Sequence, residues 1–499
     1  MTSQKKVLLT KSRYVTGLKC SKYIWLAFNN SEELPKIDDA TQHRFDEGHK
    51  IGELAKELFP KGIEIVEKIP VQNDKASREA LKRRVPLFEA GFLDETEKCY
   101  ARADILVPVK KDEWDIYEVK SATEVKEEYI WDLAFQKYCY ESAGIKIRNC
   151  FIVHVNNEYV RQGEVNPKEL FITAPIYDEV DEESKNVKDN IKKLFEIVSL
   201  KECPEFKKGE EYHNDDFGVH ENDLFWKEHP ECDIFELYRG GKKSIELFNS
   251  EIYEIGKLEG QKLNEKQQIQ FKTHKSGKEH VDKREIKNFL DKLVYPLYFL
   301  DFESYNTAIP LYNGLKPYQQ IPFQFSLHIV KKEGTKPEHI YFIAEGSEDP
   351  RPEFIKVLKE NLGDKGSIIV YNQTFEQTVL NKLGDFLPLY KEWVASTVSR
   401  MVDLLMPFRN FSYYHPKQQG SASIKKVLPV LTGKSYENFE IANGGDASLS
   451  YLFITHGSYD GEKATSEEIK KVRDDLEKYC CLDTEGMIWI LEKIREKAE

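Results

Sequence analysis

Long apolar runs are missing from this chain. In its 499 residues no apolar stretch approaches the 18 or so positions a membrane helix needs, so no membrane partner is expected. The opening residues, Met1 to Tyr14, are polar and lysine-bearing and lack the apolar centre of a secretory signal. Cysteine is scarce: eight are scattered, with Cys480 and Cys481 adjacent and no compact framework for disulfides. Reduced thiols and a cytoplasmic location are therefore expected. Convincing Cys/His zinc spacing is missing as well. So is a phosphate loop: Thr432-Gly433-Lys434-Ser435 ends like one, but Leu428 stands where its first glycine belongs. The triplet is read as a turn, and an ATP-driven motor is excluded. Positive charge is in deficit, the formal net charge being −13. That speaks against indiscriminate coating of nucleic acid, though not against an enzyme with acidic metal sites and local basic grooves.

What is present describes a globular protein of two to three domains, 40% hydrophobic and 12% aromatic. No repeat or low-complexity tract interrupts it. Residues 1–70 mix cations and rings (Lys11, Arg13, Tyr14, Lys19, Lys22, Tyr23, Trp25), and Gly48 to Phe59 reads as a helix stopped by Pro60 and Gly62. Ala103–Val107 and Trp114–Val119 read as a hairpin around a polar turn, followed by a helix over 125–143 and a strand at 151–155. From Pro296 onward the pattern predicts strands at 297–302, 323–330 and 339–344, a helix at 352–362, a strand at 367–371 and a helix at 375–386. An irregular aromatic stretch spans 407–421, and a long helix spans 466–497. The expected fold class is α/β, with domains at 1–240 and 291–499 joined by a helical connection over 241–290.

The stretch Leu297-Tyr298-Phe299-Leu300-Asp301-Phe302-Glu303 carries the clearest chemistry. Its apolar run reads as a buried strand, on which Asp301 and Glu303 project from one face. Two carboxylates at the edge of an apolar core repel each other, and an oxygen-ligated divalent cation is the simplest compensation. A solvated strand end with two surface acids is the bland alternative.

Asp104 is followed fourteen residues later by Glu118-Val119-Lys120, so the hairpin brings three chemical groups together. Two carboxylates can hold Mg²⁺ or Mn²⁺, and Lys120 can position water and offset charge. Gln136 and Tyr140 share a face of the following helix. This order resembles the RecB-like branch of the PD-(D/E)xK nucleases, and implies a restriction-endonuclease-like α/β domain. The resemblance implies His49, Asp104 and Glu118 as metal ligands, Lys120 as the catalytic lysine, and Gln136 and Tyr140 as holders of the substrate strand. His43 competes with His49 and is read as a cap or surface residue. Many relatives of this branch also hold an iron–sulfur cluster, and Cys20 sits where its first cysteine belongs. The remaining cysteines are misplaced: Cys203 and Cys232, even with His220, do not give the spacing of a cluster site. No iron–sulfur cluster is expected.

Two further stations follow Asp301 and Glu303 in order. Ile369 to Glu376 is a strand ending at Asn372 and opening a helix with Phe375-Glu376, and Tyr479 and Asp483 share one face of the last helix. The set resembles the DnaQ-like (DEDD) 3′–5′ exonucleases of the RNase H-like fold. It implies Asp301, Glu303, Glu376 and Asp483 as ligands of two metals and Tyr479 as the residue orienting water. Glu376 is one methylene longer than the aspartate usual there, and Asp403 is a candidate supporting carboxylate. Arg409, Tyr413, Tyr414, His415, Lys417, Lys425 and Lys426 form either a single-strand track or aromatic packing.

Both halves together resemble an uncharacterised bacterial and archaeal family of RecB-like nucleases with a carboxy-terminal domain of unknown function. The expected activity is metal-dependent DNA phosphodiester hydrolysis on single strands or ends, with a Mg²⁺ or Mn²⁺ site in each domain and a helicase or another repair or defence protein as partner. The rivals are a nucleic-acid clamp with one or both sites silent, and an RNA-processing 3′–5′ exonuclease.

Overall fold

The protein is described from a computed structural model covering residues 8–34, 36–96, 98–110, 112–205, 233–437 and 439–499. His220 and Cys232 lie outside these described residues. The chain divides into two compact units, Met1–Lys227 with Thr307–Gln319, and Glu228–Asn306 with Gln320–Glu499. Residues 241–290, expected as a connection, thus cluster with the second unit, and 307–319 with the first. Ile234, Leu237, Leu247, Ile255 and Leu258 form a small core there, and the stretch is tied to the second unit by His280–Val281 pairing with Tyr413–Tyr414 and by the helix Lys283–Leu290 packing against the helix Ser466–Ala498. Ala308 joins the core of the first unit, where the Glu47 carboxylate accepts its backbone N–H at 2.9 Å.

The first unit is built on a seven-stranded sheet of β1 (Leu9–Thr10), β2 (Ile63–Glu64), β3 (Leu87–Leu93), β4 (Cys99–Pro108), β5 (Glu113–Lys120), β6 (Lys146–Val155) and β7 (Phe171–Pro175). Its order is β2-β3-β4-β5-β6-β7, with β1 paired to β4. The expected hairpin is β4–β5, antiparallel with Ile105 opposite Tyr117. β5 and β6 run parallel, which requires a crossover, and α5 (Glu127–Ser142) supplies it. Neighbouring residues of β6 enter different cores: Ile152 packs with Phe135 of α5, and Val153 with Ile51 and Ala55 of α3 (Asp39–Ala55). Both sheet faces are therefore covered. α1 (Lys11–Lys19), α2 (Ser21–Asn29) and α6 (Tyr177–Val198) complete the α5 side, with Tyr14 stacked on Phe135 at 4.6 Å. α4 (Pro70–Leu81) lies against β3. α3 begins nine residues before the expected Gly48, because Asp38 caps it by accepting from Thr41 N at 2.8 Å. That opening is polar and carries no apolar period to betray it.

In the second unit, α7 (Lys242–Asn249), α8 (Glu265–Ser276) and α9 (Lys283–Leu290) precede the sheet, and a short β8 (His280–Val281) lies between the last two. The sheet consists of β9 (Leu297–Tyr305), β10 (Ile321–Val330), β11 (Glu338–Ile343), β12 (Ser367–Val370) and β13 (Met401–Asp403), in the order β11-β10-β9-β12-β13. β9, β10 and β11 are antiparallel neighbours, whereas β12 is parallel to both β9 and β13. This is the mixed-sheet α/β arrangement expected of an RNase H-like domain. Alternation along β9 sorts its side chains. Tyr298, Leu300 and Phe302 pack with Phe354, Leu358, Leu380 and Leu383 of α10 (Arg351–Asn361) and α11 (Thr374–Phe386). Asp301 and Glu303 therefore face the other side, where α14 (Gly444–His456) and α15 (Ser466–Ala498) pack. α12 (Lys391–Ser399) and α13 (Ile424–Thr432) also belong to this unit. α15 starts at a capping box in which Thr465 and Glu468 satisfy each other's backbone N–H groups. Gly433 closes α13 in the left-handed conformation at φ 74°, so the Gly-Lys-Ser triplet is the expected turn. No helix among the described residues is long and apolar enough to cross a membrane.

Candidate functional site

In the first unit, Glu118 is almost fully buried at 1% exposure and makes three side-chain bonds. Its Oε1 accepts from Lys11 Nζ at 2.5 Å and Lys120 Nζ at 2.8 Å, and its Oε2 accepts from Gln136 Nε2 at 2.8 Å. Lys120 also reaches Asp132 at 2.7 Å, and Asp132 accepts from Gln136 at 3.0 Å. Asp104 accepts from the backbone N–H of Val119 at 2.7 Å. Burial and the neighbouring Asp104 and Asp132 push the Glu118 carboxyl up against the pull of both lysines. Burial acts to lower Lys120, but Asp132, Glu118 and Asp104 outweigh it and hold its ammonium charged. Burial likewise acts to raise Asp132, and Lys11 and Lys120 overcome it and hold that carboxyl low. Two lysines thus face two buried acids and Asp104.

The second cluster has the opposite balance. Ligand atoms of Asp301, Glu303 and Cys480 lie within 4.8 Å of one another. The Cys480 thiol donates to Asp301 Oδ2 at 3.5 Å. Burial first, and then Asp483, push Asp301 well up. Burial, Asp301, Asp483 and Glu376 do the same to Glu303 against Lys425. Glu376, in the first turn of α11 and 1% exposed, is raised by burial, Asp301 and Asp403. Its Oε2 is buried and has no hydrogen-bond partner. Asp483 is pushed up to about 6 by burial, even though Tyr436 donates to its Oδ1 at 2.5 Å and Lys425 attracts its charge. Tyr479, held protonated by burial and by Asp483, Glu303 and Asp301, packs beside Tyr436 with ring centroids 6.0 Å apart. The Lys425 ammonium sits 5.8 and 5.7 Å from those two ring centres. Four mutually repelling buried carboxylates with an orphaned oxygen fit an oxygen-ligated divalent cation.

The structure therefore gathers Asp301, Glu303, Glu376 and Asp483, as the sequence predicts, and it gathers Glu118 and Lys120. His49 lies exposed on α3, the helix that packs against β5. Gln136 and Tyr140 differ from their expected role as holders of a substrate strand. Both are fully buried, and Tyr140 bonds Ala90 O at 2.5 Å and Ala103 N at 2.9 Å, locking β3 to β4. Their polar groups point inward because the edge of the core offers backbone and carboxylate partners there. Asp132 escaped notice, although it lies one helical turn before Gln136 on the same face. Tyr436 carries no motif that could have announced it. Cys20 is buried at the start of α2, where its sulfur accepts from Tyr23 N at 3.3 Å. Asp403 turns one oxygen to the backbone N–H groups of Asn372 and Leu405, both at 3.0 Å.

The aromatic stretch splits by role. Tyr413 and Tyr414 are buried, the first donating to Glu279 at 2.8 Å and the second bonded to His274 at 2.9 Å. These rings are packing. Tyr371, Asn372, Phe408, Arg409, Phe411 and Tyr238 line a cleft of about 500 Å³, to which Tyr414 also contributes. Lys417 is exposed outside that lining, and Lys425 turns into the acid cluster.

Residues 298–423 match the family described as a domain of unknown function, DUF2779. The chain is 29% identical over 236 residues to the uncharacterized protein MG366 of Mycoplasma genitalium, covering 42% of this chain and 33% of that protein. It is 23% identical over 286 residues to the MG366 homolog of Mycoplasma pneumoniae, covering 52% of this chain and 42% of that protein. It is 26% identical over 225 residues to the uncharacterized protein UU173 of Ureaplasma parvum, covering 40% of this chain and 32% of that protein. The chain thus spans less than half the length of these relatives. Among solved structures, the crystal structure of LHK-Exo in complex with dAMP aligns with 15% identity and a TM-score of 0.23, covering 39% of this chain and 90% of that one.

Proposed function

We propose that this protein is a metal-dependent nuclease that hydrolyses phosphodiester bonds in DNA, with the buried four-carboxylate cluster of the second unit as its main active site. The observation that carries this reading is the orphaned Glu376 oxygen among Asp301, Glu303 and Asp483, all four carboxyls raised by burial and all but Asp483 raised further by neighbouring acids. Asp301, Glu303, Glu376 and Asp483 would hold Mg²⁺ or Mn²⁺, which when bound supplies an activated water and charge neutralisation at the phosphate. Tyr479 keeps its proton and so orients water by hydrogen bonding rather than abstracting a proton. Lys425 places a cation beside the anionic substrate. Asn372 and Arg409 in the adjoining cleft contribute an amide and a guanidinium for a nucleotide next to the scissile bond.

In the first unit, Asp104 and Glu118, with His49, would hold a second ion, and Lys120 would stabilise developing charge. A second reading has support there: both Glu118 oxygens are already bonded by protein donors, which suits a silent, clamp-like domain.

End-labelled single- and double-stranded DNA and RNA, incubated with Mn²⁺ or Mg²⁺, test the proposal. Wild type is expected to degrade DNA, and Asp301→Ala to abolish the main product pattern. If Lys120→Ala removes a separate product pattern, both sites cut. If it changes nothing, the first unit is the clamp. Intact substrate under every condition, with no Mn²⁺ bound, overturns the nuclease reading. Preferential loss of RNA moves the activity to RNA processing.

A further inference from the structure

β10 carries an alternation that neither acid cluster uses. Phe325, Leu327 and Ile329 enter the core with α10, while Gln324, Ser326 and His328 face α15 and are also buried. Buried polar side chains need partners. Gln324 finds one in Leu476 O at 2.7 Å. Ser326 and Thr484, both essentially inaccessible, share a hydrogen bond of 2.7 Å, and each also holds an imidazole. Thr484 Oγ1 meets His328 Nδ1 at 2.8 Å, and Ser326 Oγ meets His339 Nε2 at 3.0 Å.

The two histidines are opposite each other in the β10–β11 ladder, and their rings stack with centroids 4.3 Å apart. Cys481 of α15 approaches from the helix side, its sulfur 3.9 Å from His339 Nδ1. One ligand atom each from His328, His339 and Cys481 fall within 4.8 Å of one another. Glu477 lies one helical turn before Cys481, attracts the charge of His339, and accepts the Tyr341 hydroxyl. Two imidazoles and a thiol are poor ligands for Mg²⁺ and good ones for a borderline-soft ion. Hydroxyl groups that fix ring orientation are what such a site requires around its ligands.

We propose that His328, His339 and Cys481 form a second kind of metal site, for Zn²⁺ or a similar transition ion. Glu477 or a water fills the remaining position. The ion ties α15 to the β10–β11 edge. Tyr479 and Asp483 flank Cys481 on that helix, so occupancy positions two residues of the acid cluster without contacting substrate. The site rests on its own donor set and stands whether or not the protein is a nuclease.

Co²⁺ titration of the reduced full-length protein tests this, read by the near-ultraviolet thiolate-to-cobalt band, with circular dichroism as the check on folding. Wild type is expected to give the band at stoichiometric Co²⁺ and to lose it on competition with Zn²⁺ but not with Mg²⁺. Cys481→Ser and His339→Ala remove it. Cys480→Ser and the double variant Asp301→Asn/Glu303→Gln, which leave the donor set intact, retain it. Thr484→Val weakens Zn²⁺ binding by roughly 10–100-fold through loss of ring orientation. A folded wild type without a thiolate band overturns the proposal, as does a band that follows Cys480 instead of Cys481.

Discussion

Glu118 and Asp132 in the first unit are buried beside Lys11 and Lys120, whereas Asp301, Glu303, Glu376 and Asp483 in the second are buried with Lys425 facing them. Both clusters sit at a sheet covered by helices, and both contain acids that the interior penalises. The first is answered largely from within: Lys11 and Lys120 each give Glu118 a counter-charge and a hydrogen bond, and Lys120 does the same for Asp132, although burial and the neighbouring acids still push Glu118 up and the buried Gln136 Oε1 has no partner. The second is left in electrostatic debt, with its carboxyls pushed upward and one oxygen unpaired. A cluster satisfied by its own cations gains little from an added ion, and one in deficit gains much. The second unit is therefore where a divalent cation has most to contribute.

The largest expected effect comes from breaking the lysine-bridged cluster of the first unit. Lys120→Ala leaves Asp132 and Glu118 short of a buried partner and should destabilise the first unit by about 3–5 kcal/mol. Asp301→Asn in chelator-treated protein should instead be neutral or stabilising, by up to about 2 kcal/mol, because it removes repulsion. Urea unfolding of the two variants compares them directly, and equal losses would erase the contrast.

Asp483 and Asp132 contribute to the pH dependence with opposite signs. Asp483 titrates at about 6 in the folded chain, above its unfolded value. Between roughly pH 4 and 6 the unfolded chain gives up that proton while the folded chain keeps it, so metal-free stability falls as pH rises. The loss reaches roughly 3 kcal/mol and persists above that window. Asp132 is depressed, so its contribution is present at neutral pH and is lost on acidification. Lys120 is raised, so its contribution holds below its unfolded pKa and fades only as pH climbs toward the folded value. Melting temperatures from pH 4 to 8 with chelator should decline with pH, and Asp483→Asn should flatten that decline.

Mn²⁺ sharpens the comparison. It should raise the melting temperature more at pH 8 than at pH 5, since ionised carboxylates bind it. Glu376→Gln should weaken Mn²⁺ binding by about tenfold or more, ~1.4 kcal/mol, in calorimetric titration. The smallest effect is expected of Tyr436→Phe. It deletes one hydrogen bond to Asp483, costs about 1–2 kcal/mol, and raises that carboxyl further, visible as a shift of the pH midpoint.

Much of the second unit was legible beforehand, because its elements obey short-range rules. The strand at 367–371 and the helix at 466–497 lie within a residue of the observed bounds, and the strand at 297–302 starts where β9 does and stops three residues short of its end at Tyr305. The order D-x-E, N-x-x-F-E and Y-x-x-x-D placed all four acids. The polar opening of α3 was not legible because it carries no apolar period, and the assignment of residues 241–290 to the second unit was not, because it depends on contacts with distant segments such as β8 with Tyr413–Tyr414. Tyr436 was missed for a further reason: its bonding partner, Asp483, lies far away in the chain, whereas Asp132, bonded to nearby Lys120 and Gln136, carries no motif of its own.

The amino-acid sequence alone determined which residue types recur at strand and helix spacing, and hence the α/β class and the candidate acids, because those spacings follow from backbone geometry. Tertiary structure alone decided how each acid is answered. Lys11 lies 107 positions from Glu118, and Tyr436 lies 47 from Asp483. Electrostatic energy depends on distance through space and on burial, and neither is written in the order of residues along the chain.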